Sequence, residues 1–226
     1  MRSSAPYSRK RGLSSREQVV QMIRDDIAQG IIGYDTRLVD HEIAASLDVS
    51  RTPVREALLQ LKSEGVVDGT SRGFVLKAYT PQEIANIFEV RFLLEPAAAA
   101  QACRHRTEAG LQLVEVAVGR IASAHEAVNP PRSLKASWQF RAAWVSMVPN
   151  PQLVETMQRL RDRADQARLA MLHDVPFRLA TLERTRLIFA AFKEGDETAA
   201  ARRILENLAI CRDAYCAKQA ELLADR

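Results

Sequence analysis

The sequence is poor in the residues that usually carry chemistry. Its three cysteines, Cys103, Cys211 and Cys216, are odd in number and lack metal-ligand spacing. Reduced thiols in a cytoplasmic protein are the simplest account. The four histidines, His41, His105, His125 and His173, are not paired at ligand spacing either. No nucleophile–base pair, glycine-rich phosphate loop or metal cluster is legible, so the sequence assigns no catalytic residue, metal or cofactor. No apolar run approaches the roughly 18–20 residues that span a bilayer. The basic, polar stretch from Met1 to Arg11 has no apolar segment behind it, so it is not read as a secretory signal. Strand signals are few and glycine and proline number nine each, which favours a mainly α chain.

What is present is a globular composition, 47% hydrophobic and 27% charged, with a formal net charge of +4 and a pI near 9.1. That balance permits a nucleic-acid partner without requiring one. The most informative stretch runs from Val49 to Leu58. Val54, Ala57, Leu58 and Leu61 recur at helical spacing and form an apolar stripe. Arg51 and Arg55 are four apart, so both guanidinium groups leave another face. Ser50 suits the N-cap, and Pro53 is tolerable only in the first turn. A short helix with a buried stripe and an arginine pair near its N-terminus suits the major groove, where arginine can bond a guanine edge with two donors.

Residues 1–13 read as a disordered basic arm. Ser14 to Gln29 form the first helix, with a Ser14–Glu17 capping box and Gly30 as its stop. Asp40 is expected to cap a second helix, and Asp48 to turn into the arginine helix. After Gly65 come two short β runs, Val66-Val67 and Phe74 to Leu76, with the tip between them. Helix, helix, turn, helix, hairpin in about 65 residues is a winged helix-turn-helix. From Thr80, an N-cap with Glu83 as its partner, to the end, six helices are expected: 81–103, 107–127, 132–147, 151–172, 176–193 and 196–222. The fold class is therefore mainly α: an N-terminal winged helix-turn-helix with a small β-hairpin over 14–78, plus an all-α C-terminal helical bundle over 79–226.

The segment LVDHEIAASLDVSRTPVREALLQLKSEGVV, with SRGFVL after it, resembles the GntR family of bacterial transcription regulators. The resemblance implies a dimer that grips a short inverted-repeat operator in double-stranded DNA. It puts Arg51 and Arg55 at base edges or nearby phosphates, with Ser50 at the cap and Thr52 on the backbone. Gly73 would let the wing tip approach the minor groove, and Arg72 would add charge there. His41 stands where many relatives have arginine.

Three later segments, IANIFEVRFLLEPAAAAQA, FRAAWVSMVPNPQL and AAFKEGDETAAARRILENL, resemble the FCD-type effector domain of the FadR subfamily. Many members hold a divalent metal there through an Asp and three His. Carried over, those positions fall on Ser137, Arg141, Thr185 and Asn207. None is a good ligand, and a guanidinium has no lone pair to give. The expectation is a metal-free pocket in which Arg141 anchors a small carboxylate or other anionic effector. Arg91, in the R-x-x-L-E pattern ending at Glu95, would be a second contact. The alternative is that Arg141 pairs with an internal acid such as Glu95 and the pocket is vestigial. A metal site with relocated ligands and an enzyme with a DNA-binding appendage are the remaining readings.

Overall fold

The computed structural model describes residues 14–29, 31–172 and 174–224, and their side chains except those of 28, 161–170, 222 and 223. The expected arm over 1–13 and the Gly30 stop lie outside the described residues. The chain divides into two compact units, one ending at Ala78 and the other beginning at Tyr79.

In the first unit, α1 (Ser15–Ala28), α2 (Asp40–Leu47) and α3 (Arg51–Ser63) precede an antiparallel hairpin of β1 (Val67–Thr70) and β2 (Gly73–Leu76). The Ser14 side chain and Glu17 close the capping box on α1. The α3 stripe is the core: Val54, Ala57, Leu58 and Leu61 are wholly buried, against Ile23 of α1 and Val67 of β1.

Three local expectations are corrected. Asp40 does not cap α2; Val39 does, with no side-chain bond. Leu38 is bridged to Phe74, donating and accepting backbone bonds of 2.7 and 2.8 Å, and this holds the chain extended until Val39. Ser50 is the N-cap of α3, but its side chain makes no cap bond. The third helical residue, whose N–H a cap usually takes, is Pro53, which has none. The hairpin also pairs further than its hydrophobic runs, from Val67–Leu76 to Thr70–Gly73, leaving Ser71 and Arg72 as the tip.

Gly73 has a structural reason beyond any groove contact. Its φ is +125°, and a Cβ there would lie 2.6 Å from the Leu38 carbonyl oxygen. Gly73→Ala is expected to cost about 1–3 kcal/mol and to weaken the bridge to α2. A circular-dichroism melt of the full chain checks this; an unchanged melting curve would mean the bridge is dispensable.

The second unit holds α4 (Pro81–Arg104), α5 (Glu108–Glu126), α6 (Pro130–Val145), α7 (Pro151–Met171), α8 (Val175–Glu194) and α9 (Glu197–Ala224). Thr80 and Glu83 form the expected capping box. Helix α6 starts two residues before the expected 132. Asn129 caps it, accepting from the Arg132 N–H at 2.9 Å, and both prolines fit the first turn, where no N–H is needed. Helix α4 runs on through Pro96, packed along α9, while α5 packs on α6 and α8 touches both α5 and α9. Trp144 stacks on Phe192 at 6.1 Å and Phe88 meets Tyr215 edge-on at 5.7 Å, both inside this bundle.

Candidate functional sites

The first candidate site is the exposed end of α3 with the wing. Ser50, Arg51, Thr52 and Arg55 are all exposed while the stripe one face round is buried. Helical spacing alone produces this division, because a residue three or four on shares a face and one or two on does not. Arg51 does not project freely. Its Nη2 sits 3.1 Å from both carboxylate oxygens of Asp40. The hydrogen bond from Arg51 holds the Asp40 carboxyl below its ordinary range. The residue partnering Arg51 escaped the sequence reading, which had assigned Asp40 to the cap. Arg55 lies one turn on along the same face. His41 is exposed beside Asp40, with Nδ1 4.0 Å from Oδ1. Arg72 is exposed at the hairpin tip, where its N–H donates to Thr70 Oγ1 at 3.2 Å. The unfilled cap leaves first-turn amides of α3 and the Ser50 hydroxyl open to an anion.

The second candidate site is a cavity of about 40 Å³ inside the helical unit. That is several times the roughly 10–15 Å³ one water occupies by the same measure. Arg91, Ser137, Arg141, Thr185 and Asn207 all line it. They come from α4, α6, α8 and α9, so only the tertiary fold brings them together. Phe140, Trp144, Ile121, Ile188 and Ile204 supply the apolar walls.

Glu95 sits between the two arginines. Arg91 Nε donates to Glu95 Oε1 at 2.6 Å, and Arg141 Nη1 donates to Oε2. The internal pairing of Arg141 with Glu95, the alternative left open by the sequence, is what the structure contains. Burial pushes the Glu95 pKa up, but Coulomb attraction to Arg141 and Arg91 and their hydrogen bonds outweigh it. The net result is a carboxyl held down at about 2 from 4.5. A carboxylate whose pKa is lowered on folding adds stability above its unfolded value and loses it as pH falls toward the folded one. Glu95 therefore contributes about 3 kcal/mol at neutral pH, lost between about pH 4.5 and 2. Acid titration followed by tryptophan fluorescence checks this, since both tryptophans lie in the helical unit; Glu95→Gln should remove that part of the pH dependence.

The other polar liners have defined states. Ser137 is 3% exposed and its Oγ has no hydrogen-bond partner among the described residues. Thr185 Oγ1 donates to the Thr181 carbonyl at 2.7 Å, leaving its lone pairs to accept. Asn207 Oδ1 accepts from Arg184 Nε at 3.0 Å, so its amide N–H groups remain. Arg184 was not singled out in the sequence, where nothing marks it beyond its place next to Thr185.

The FCD domain family matches residues 86–209, more than half of the chain, and the gntR family of bacterial regulatory proteins matches 15–73. The chain is a GntR-family transcriptional regulator with an FCD domain. Among relatives of this GntR regulator, the Nta operon transcriptional regulator of Aminobacter aminovorans is 29% identical over 133 residues, 58% of this chain and 63% of that protein. The gluconate operon repressor of Bacillus subtilis is 42% identical over 82 residues, 36% of this chain and 34% of that protein. This chain thus spans less than two thirds of either. The fold matches E. coli McbR/YncC with a TM-score of 0.79 at 24% identity, over 90% of this chain and 99% of that one. Among the described residues, no helix is long and apolar enough to cross a membrane.

The divalent metal implied by the FCD resemblance does not fit this GntR regulator. Of the four carried-over positions, Arg141 puts a permanent cation where the ion would sit. The Thr185 proton and the Asn207 oxygen are already engaged, and a serine hydroxyl alone is no ligand set.

Proposed function

We propose that this regulator binds a pseudo-palindromic operator in double-stranded DNA as a homodimer in the cytoplasm, and that a small anionic effector seated in the helical domain without a metal alters that binding. Repression is the favoured direction, as with the gluconate repressor among the relatives. The DNA contacts assigned are His41, Ser50, Arg51, Thr52, Arg55, Arg72 and Gly73. The effector contacts assigned are Arg91, Ser137, Arg141, Thr185 and Asn207.

The observation that carries the DNA half is the division of α3 into a wholly buried stripe and an exposed arginine face next to an uncapped N-terminus. Dimer symmetry would set the half-site spacing. The effector half rests on the buried arginine pair lining a polar cavity among apolar walls. The two halves are linked: the effector can weaken DNA binding only by as much as DNA weakens effector binding.

Selection from random duplexes tests the first half. Enrichment of an inverted repeat holding two chains supports it, and a lone half-site holding one chain refutes the dimer. Metal analysis of tag-free protein tests the second. Content far below one ion per chain is expected, whereas stoichiometric metal would mean that other side chains hold an ion.

A further inference from the structure

We infer that DNA binding by this regulator is coupled to a proton: when Arg51 leaves Asp40 for DNA, His41 takes up a proton and replaces it as the partner of Asp40. This rests on the DNA reading proposed above and concerns how that same site is regulated.

Asp40 and His41 open α2, and the Asp40 carboxylate lies between two candidate partners. Arg51 Nη2 is 3.1 Å from both its oxygens, and His41 Nδ1 is 4.0 Å from Oδ1. The arginine therefore holds it in the free protein, and the histidine stands just beyond hydrogen-bond reach. On DNA the Arg51 donors turn to a base edge or a phosphate. Asp40 cannot follow, because it is fixed at the first position of α2, behind the backbone bridge from Leu38 to Phe74. A carboxylate stripped of its cation then stands beside phosphates, and the two repel.

Besides Asp40, the charged groups on the elements at this end are Glu42 on α2, Arg51, Arg55 and Glu56 on α3, Arg37 ahead of α2 and Arg72 at the hairpin tip. Arg55 acts on Asp40 through its field and not through a bond. His41 is the other side chain able to carry positive charge within 4.0 Å of that carboxylate among the described residues. Histidine is also the side chain that ordinarily exchanges its proton between pH 5 and 8. A neutral imidazole has one N–H and an imidazolium has two. With both present, Nδ1–H donates to Asp40 and Nε2–H is left for a phosphate. One proton is taken from solvent for each chain that docks and returned when it leaves. The complex holds that proton more tightly than the free chain does, so affinity rises as pH falls. It levels off once the free chain is protonated as well.

The test titrates the full-length protein with the inverted repeat enriched above and with a random duplex of the same length, by anisotropy at fixed salt from pH 8 to 6. The random duplex serves alone if no repeat is enriched. The wild type is expected to bind about threefold to tenfold more tightly per half-site at pH 6 than at pH 8. Calorimetry at pH 7 in two buffers of different ionisation heat counts the proton directly, with net uptake approaching one per bound chain. His41→Gln and Asp40→Asn should each flatten the profile, and His41→Arg should bind tightly at every pH. A flat wild-type profile without buffer-dependent heat overturns the coupling while leaving the DNA site standing. A pH dependence that survives in Asp40→Asn or in His41→Gln overturns the exchange at Asp40. Binding to neither duplex at any pH overturns the coupling and the DNA reading together. The wild-type profile and heats need no variant, so the proposal stays testable if a substitution does not fold.

Discussion

Glu95→Ala is expected to lower the unfolding free energy of the helical unit by about 3–5 kcal/mol. The loss does not measure what the carboxylate contributes by itself. It comes mostly from what is left behind, two buried guanidinium groups that have lost the carboxylate they share. Arg141 still donates to the Met157 carbonyl at 3.4 Å and keeps its ring contact with Trp144, and both of these partners are uncharged. The contrast that gives the prediction its meaning is the triple change Arg91→Met, Glu95→Leu and Arg141→Met. Replacing a whole buried ionic group by apolar residues of similar volume is often neutral or stabilising by about 1–4 kcal/mol. The triple variant should therefore fold at least as stably as the wild type and bind no anion. Urea unfolding of the full chain, followed at the two tryptophans, measures both variants on the helical unit alone. If the triple variant were as unstable as Glu95→Ala, the cluster would be holding the bundle together rather than serving a ligand.

Arg55→Ala is expected to weaken operator binding by about 1–3 kcal/mol, because a bidentate arginine–guanine contact discriminates by that much. Arg51→Ala should cost less. Arg51 must first leave Asp40, against which it is turned in the free protein, and so it spends part of its contact energy on the exchange. Exposed ion pairs of this kind are weak, so the exchange lowers the gain without preventing it. Asp40→Asn should consequently tighten DNA binding, more on operator than on random DNA. Anisotropy titrations on both DNAs across a salt series decide the roles. Equal losses on both, with a shallower salt slope, would place Arg55 on a phosphate and not on a base.

The arginine helix was legible because one short segment carries several agreeing signals. Val54, Ala57, Leu58 and Leu61 fix the buried face, and that leaves Arg51 and Arg55 outside whatever else the chain does. The six helices of the second unit were legible for the same reason, bounded by prolines and caps. Their boundaries moved where a proline that reads as a breaker sits instead in a first turn, as at Pro130. The misplaced cap at Asp40 and the missing side-chain bond at Ser50, which is the N-cap as expected, have a common source. Capping depends on the φ and ψ of the preceding residue and on which N–H groups exist, and here a bridge to Phe74 and the ring of Pro53 decided both.

By itself, the sequence determined which faces are buried and roughly where the helices run, and its resemblance to the family puts no good metal ligand at the carried-over positions. Those are local properties, set by spacing and residue type. Tertiary structure alone decided that Arg91, Ser137, Arg141, Thr185 and Asn207 line one cavity, although they span more than half the chain. It alone decided that Arg141 is paired with Glu95, forty-six residues away, and that Arg51 is turned onto Asp40. Ion pairs between helices depend on distances of a few ångströms between elements, and no periodicity along the chain encodes those distances.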